Sequence, residues 1–303
     1  MRKILILGSS QAGVAAAYEI RRQDDSAEIT IVTFDDVYPG KRESFIPLIS
    51  QKAALKDVYC RTEKDYEKNK IKVVTNQKPL RINYKKNIFF TQEKEQFEFD
   101  VLLITDAPGQ KFPDIKGTNK KGTIGFRQMK DMVFLHESLQ VVESIAIQAT
   151  SPSSLILAQA IAERSRDVQL IVPQVTSLSE WTQGQWNEET VAAWQAKGLH
   201  ILLDNEIREI LGESDVKAIR LKTEKVLAAQ VVIFFDALYD LKFFQDSPLE
   251  IQNTITVNEQ FQSSLPQVFA LDDIAGKVGD WEAQGKAVAE AALRMTEPSG
   301  VTS

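Results

Sequence analysis

An apolar run, Ile4-Leu5-Ile6-Leu7, leads straight into Gly8-Ser9-Ser10-Gln11-Ala12-Gly13 and then into an amphipathic stretch. A buried strand, a tight glycine turn and a helix, in that order, open a βαβ unit. Residues 3–7 read as the strand, residues 11–22 as the helix, and residues 28–33 as the second strand. Gly8 permits the tight turn, and Gly13 lets helix and strand pack closely. The helix N-terminus offers N–H groups and partial positive charge to a pyrophosphate. Ser10 stands at the middle glycine position and adds a Cβ and a hydroxyl able to donate to phosphate. The same residues also suit a plain tight turn in a parallel sheet. An acid normally ends the second strand and binds ribose hydroxyls. Thr33 holds that place, and Asp35 and Asp36 read as solvated loop charges.

Strands near 71–75, 79–82, 87–91 and 101–105 follow. Gly109, Pro113, Gly117 and Gly122 then interrupt the pattern and mark a crossover between domains. A second unit begins at Ser144-Ile-Ala-Ile, with a helix over 153–164 and a strand over 168–172. Asn187 is positioned to cap a helix over 187–197 that Gly198 ends. Strands near 199–203, 206–210, 217–222 and 230–235 complete this block, and a strand at 267–270 and a helix over 281–295 return to the first. The expected fold is α/β, two Rossmann-like dinucleotide-binding domains with parallel sheets, the second inserted in the first. Residues 1–112 with 240–303 make one domain and residues 113–239 the other. The small polar tail after Glu297 is expected to fray.

With 303 residues and a formal charge of −6, the chain has room for two domains and no long basic run. That argues against nucleic acid as a partner. One cysteine, Cys60, excludes an internal disulfide, and His136 and His200 stand in no metal-ligand pattern. The start resembles a signal peptide only superficially: its apolar run is short and early, and polar residues follow. No run approaches a membrane span. The expected compartment is the cytoplasm.

Several stretches are similar to the FAD-dependent pyridine nucleotide-disulfide oxidoreductases, in the branch of NADH oxidase, coenzyme A-disulfide reductase and the rubredoxin and nitrite reductase flavoproteins. They include residues 61–75, Phe112-Pro113-Asp114-Ile115-Lys116-Gly117, Gly125-Phe126-Arg127, and Val268-Phe269-Ala270 with Asp273. Glu282-Ala283-Gln284-Gly285-Lys286 resembles the helix after the family's second FAD motif. The resemblance implies FAD between the first and last segments and NAD(P)H on the middle domain. The family's dimer-forming domain would follow residue 295 and is expected to be lacking.

Departures from that pattern bear on function. Gln148-Ala149-Thr150-Ser151-Pro152-Ser153-Ser154 stands where the second glycine-rich turn belongs and contains no glycine. NAD(P)H binding is therefore not expected. Ser44 stands where the branch carries its redox cysteine, which excludes thiol chemistry there. Cys60 reads as an ordinary buried thiol, and Trp181, Trp186 and Trp194 as core or partner surface rather than cofactor stacking. Asp106, Asp236 and Asp272 occupy glycine positions. Aspartate tolerates left-handed backbone, so the turns can persist. A carboxylate beside a pyrophosphate is nonetheless a like-charge contact, which Lys41 or Arg42 would have to offset.

Two readings follow. In the first, the protein is an FAD-binding flavoprotein that has lost direct NAD(P)H and thiol chemistry and exchanges electrons with a partner. Its cofactor contacts would be Gly8, Ser9, Ser10, Ala12, Gly13, Thr33, Lys41, Arg42, Pro79, Asp273 and Gln284, with no catalytic side chain and no metal. In the second, it is a non-catalytic relative, a structural or regulatory subunit of a protein complex.

Overall fold

The computed structural model describes residues 1–277 and 279–295, so the tail after Glu297 lies outside the described residues. Parallel strands carry the architecture. In chain order they are β1 (Lys3–Leu7), β2 (Glu28–Val32), β3 (Ile71–Val74), β4 (Val101–Ile104), β5 (Thr123–Gly125), β6 (Ser144–Gln148), β7 (Asp167–Val172), β8 (Leu199–Leu203), β9 (Val231–Phe234) and β10 (Val268–Ala270). The helices that matter below are α1 (Gln11–Gln23), α2 (Met129–Ser138), α3 (Ser154–Ala162), α4 (Glu188–Gln195) and α5 (Trp281–Arg294).

The chain forms two units. The first comprises residues up to Arg42, Tyr59–Gly109 and Tyr239 onward, and the second Glu43–Val58 and Gln110–Leu238. The second is inserted in the first, and each is built on a parallel Rossmann-type sheet. The sequence boundaries kept Glu43–Val58 with the first unit, but its contacts join it to the second. Phe45 packs edge-on to Phe126 at 6.2 Å, and Ile49 belongs to that unit's core.

In the first unit the strand order is β10-β4-β1-β2-β3. β1 pairs in parallel with β2 (Ile4 opposite Ile29) and with β4 (Ile4 opposite Val101). Ile4, Ile6, Leu103 and Phe269 face one side, and Leu5, Leu7, Leu102 and Ile104 the other. Both faces are covered, which is why these strands are apolar throughout. α1 and α5 pack together over the first face. They meet at backbone distance, since a Cβ on Gly285 would lie 2.6 Å from Ala15 Cβ and 2.7 Å from Ala15 C. Cys60 is buried in this layer. Pro79 opens the edge strand of a small antiparallel sheet, paired with Thr91.

In the second unit the order is β8-β7-β6-β9-β5. Asn187 caps α4 by accepting the Thr190 N–H at 2.8 Å, and Gly198 ends that turn with φ +90°. Trp186 is buried, and Trp181 and Trp194 pack on the same core. α2 was not legible in the sequence. Its start is fixed by Asp131, whose carboxylate accepts the Gln128 N–H at 3.3 Å, rather than by a Ser or Thr cap. α3 opens at Ser154, and Pro152 lies in the turn before it.

Gly285→Ala tests the close seam. In an open helix that change stabilises by about 1 kcal/mol. Here the added methyl must displace Ala15, and the expected result is a net loss of about 1–3 kcal/mol in urea unfolding.

Candidate functional site

Each sheet has a point where the strand order reverses, between β1 and β4 in the first unit and between β6 and β9 in the second. Ligands of open parallel sheets bind outside the carboxyl ends of the strands there. One substituted aspartate lies at each: Asp106, two residues past β4, and Asp236, two residues past β9. The two carboxylates treat their turns differently.

In the second unit Asp236 Oδ2 accepts the Thr150 N–H at 2.5 Å, the Thr150 hydroxyl at 2.9 Å and the Ser151 N–H at 3.3 Å. The two amides belong to the turn between β6 and α3, where a pyrophosphate would need donors. The chain's own carboxylate takes them. Ser153 N–H is held by the Ser151 hydroxyl at 3.4 Å, and the Trp181 indole donates to Thr150 O at 2.7 Å. Gln148, at the end of β6, accepts the Ile207 N–H at 2.6 Å through its side chain.

In the first unit three amides of the corresponding turn are left open. The Ser10 side chain caps α1 by accepting the Gly13 N–H at 3.3 Å. Among the described residues, no acceptor takes the backbone N–H of Ser9, Ser10 or Ala12. Ser9 is buried, and Ala12 is inaccessible. Asp106 binds a side chain of this turn instead: its Oδ2 accepts the Ser9 hydroxyl at 3.2 Å, and its Oδ1 the Ala107 N–H at 2.8 Å. Gly8 has φ +122°, and a Cβ there would lie 2.4 Å from Asp106 Cβ. Only glycine fits that approach. Orphaned amides at a helix N-terminus suit an anion, so this turn fits the pyrophosphate of FAD.

Thr33, Gln284, Arg42 and Asp273, among the other candidate contacts, have intramolecular partners. Thr33 is inaccessible, and its hydroxyl donates to Asp35 O at 2.7 Å, so it braces the loop after β2. Gln284 accepts the Asp272 N–H at 2.9 Å and donates to Lys277 O at 3.0 Å and Gly279 O at 2.5 Å. It holds the turn after β10. Pro79 begins its edge strand, and Lys41 is half-buried beside Arg42. Arg42 reaches Asp273 at 2.5 Å and Asp272 at 3.9 Å.

Asp272 adopts left-handed backbone, φ +63°, which is how an aspartate replaces glycine there. Asp106 and Asp236 do not have positive φ, so retained turn geometry does not explain them. Burial pushes the Asp272 carboxyl above the usual range; Arg42 opposes the shift and Asp273 adds to it. Tyr239, which no sequence signal marked, belongs to the same charge cluster. Burial raises its hydroxyl well above the ordinary value, with Asp106 reinforcing the effect and Arg42 opposing it. Burial works against the charge on Arg42, but Tyr239, Asp272 and Asp273 outweigh it and hold the guanidinium protonated. Among the described residues, no three His, Cys, Asp or Glu side chains are grouped to hold a metal ion, and no helix is long and apolar enough to cross a membrane.

The family model described as pyridine nucleotide-disulphide oxidoreductase matches residues 2–293. The assimilatory nitrate reductase electron transfer subunit of Bacillus subtilis is 20% identical over 297 residues, covering 95% of this chain and 38% of that protein. The rubredoxin-NAD(+) reductase of Pseudomonas putida is 21% identical over 275 residues, covering 90% of this chain and 71% of that one. Among solved structures, NADH:rubredoxin oxidoreductase from Clostridium acetobutylicum superposes with a TM-score of 0.74 at 19% identity, covering 100% of this chain and 78% of that one. The putidaredoxin reductase–putidaredoxin complex gives 0.77 at 17% identity, covering 96% and 75%. At these identities the structural likeness establishes the fold.

The Asp272 shift has a measurable sign. A carboxyl whose pKa is raised by folding contributes stability below its unfolded value, about 3.9, and that contribution is lost as pH rises through the folded value. Asp272→Asn retains the Asp273 N–H acceptor and tolerates the backbone. The variant is expected to melt above the wild type at pH 7, with the difference closing as pH falls toward the ordinary aspartate range.

Proposed function

Because this chain belongs to the pyridine nucleotide-disulphide oxidoreductase family, we propose that it is a flavoprotein whose nicotinamide site is closed by its own carboxylate, and that it exchanges electrons with a partner rather than with NAD(P)H. The observation that carries this reading is the contrast between the turns. Asp236 Oδ2 holds the Thr150 and Ser151 amides, whereas the amides of Ser9, Ser10 and Ala12 have no acceptor among the described residues.

The pyrophosphate of FAD would rest on the Ser9 and Ser10 end of this turn, with Gly8 and Gly13 giving the turn its shape. Arg42 supplies the nearby cation and Asp273 an acceptor for a sugar hydroxyl. Arg42 is shared with two carboxylates, so an incoming phosphate competes for it. When bound, the flavin supplies the electron-carrying ring; the residues described here hold it and set the local charge. Thr33 contributes no ribose grip, so affinity rests on the turn and Arg42. Relatives named for work with rubredoxin or putidaredoxin make a small redox protein the natural class of partner.

A second reading, a non-catalytic subunit of a complex, draws support from Arg42 being already paired and Thr33 already committed. The absorption spectrum of freshly purified protein separates the two. The expected result is a flavin band near unit occupancy that dithionite bleaches and NADH does not. A colourless protein that takes up no added FAD favours the second reading. Rapid bleaching by NADH overturns the closed nicotinamide site. Arg42→Met is expected to weaken FAD binding by about tenfold or more, the value of one charge-assisted contact, measured by equilibrium dialysis.

A further inference from the structure

Asp236 also lines a cavity of about 310 Å³ at the carboxyl ends of β6 and β9. Its walls are apolar: Phe112, Pro113, Phe234 and Leu238 contribute, and the Phe112 and Phe234 rings stand 5.6 Å apart. Leu238 is half-exposed at the rim. At about 30 Å³ per water-sized group, the space holds on the order of ten non-hydrogen atoms. That is far less than a dinucleotide.

Among the described residues, the carboxylate is the only acidic group lining this space. Three donors engage its Oδ2, all of them neutral, so they orient the charge without cancelling it. Oδ1 keeps its lone pairs, because an ionised carboxylate accepts at both oxygens. Among the described residues, no cation lies within ion-pair distance of Asp236. An uncompensated carboxylate among apolar walls with two phenyl rings is the chemistry that recognises an ammonium carrying a hydrophobic body. The same charge repels phosphates.

We propose that this crevice binds a small organic cation, an alkyl- or arylalkylammonium, where relatives of this fold would place a nucleotide. The inference rests on the reading that the nicotinamide site is closed. Asp236 performs both tasks, occupying the amides with one oxygen and presenting charge to the cavity with the other. Lys111, which lines the same space, is the chain's own competitor for that charge.

The test uses the full chain with benzyltrimethylammonium chloride as probe, benzyl alcohol as the uncharged comparison, and NADH, each by isothermal titration. The cation is expected to bind saturably. Benzyl alcohol and the Asp236→Asn variant should each weaken binding by at least about tenfold, while Asp36→Asn, a surface carboxylate, and Lys111→Gln should not weaken it. Absence of saturable binding, or equal binding of the cation and the alcohol, overturns the inference even if Asp236→Asn fails to fold. If NADH also fails to bind, only this inference is lost. Tight NADH binding to the wild type overturns both this inference and the closed site on which it rests.

Discussion

Backbone N–H groups at a strand-to-helix turn need an acceptor, and a buried amide without one costs on the order of 1–3 kcal/mol. In a dinucleotide-binding fold the ligand meets that need. The two units of this chain treat it differently. In the second unit a side chain from the neighbouring strand end supplies the oxygen for the Thr150 and Ser151 amides. In the first unit the nearest carboxylate binds the Ser9 hydroxyl, and the amides of Ser9, Ser10 and Ala12 keep their demand. An aspartate two residues past a strand end thus has opposite consequences according to which donor the carboxylate reaches.

The charge around Arg42 is the second determinant. One guanidinium faces Asp272 and Asp273, with Tyr239 and Asp106 contributing to the same local field. Screening is weak in so buried a setting, so every added negative group is felt by the others. The turn after β10 is over-determined by comparison. Asp272 is held by its left-handed backbone and by Gln284, which makes three hydrogen bonds. That rigidity explains why a residue resembling a cofactor contact in sequence is a brace in the structure.

Much of the architecture was legible in the sequence because apolar runs and punctuation residues agree with each other. Ile4-Leu5-Ile6-Leu7 followed by Gly8 allows little else, and Asn187 and Gly198 bound a helix by chemistry alone. The site was less legible. Asp106, Asp236 and Asp272 could be singled out from their positions, but not which donor each carboxylate reaches. Their backbone could not be read either, and only Asp272 is left-handed. Tyr239 left no trace because its role comes from burial among charges distant in sequence. Glu43–Val58 joined the other unit because contacts through Phe45 and Ile49 outweigh chain proximity.

The seam between Gly285 and Ala15 links the first helix to the last. During synthesis the ribosome delivers all of Gln110–Leu238 before α5 exists. The inserted unit therefore has its whole main segment in hand while the N-terminal unit still lacks β10 and one covering helix. Nascent β1 and α1 must wait with an uncovered apolar face, and that interval is when the young chain has most need of a chaperone.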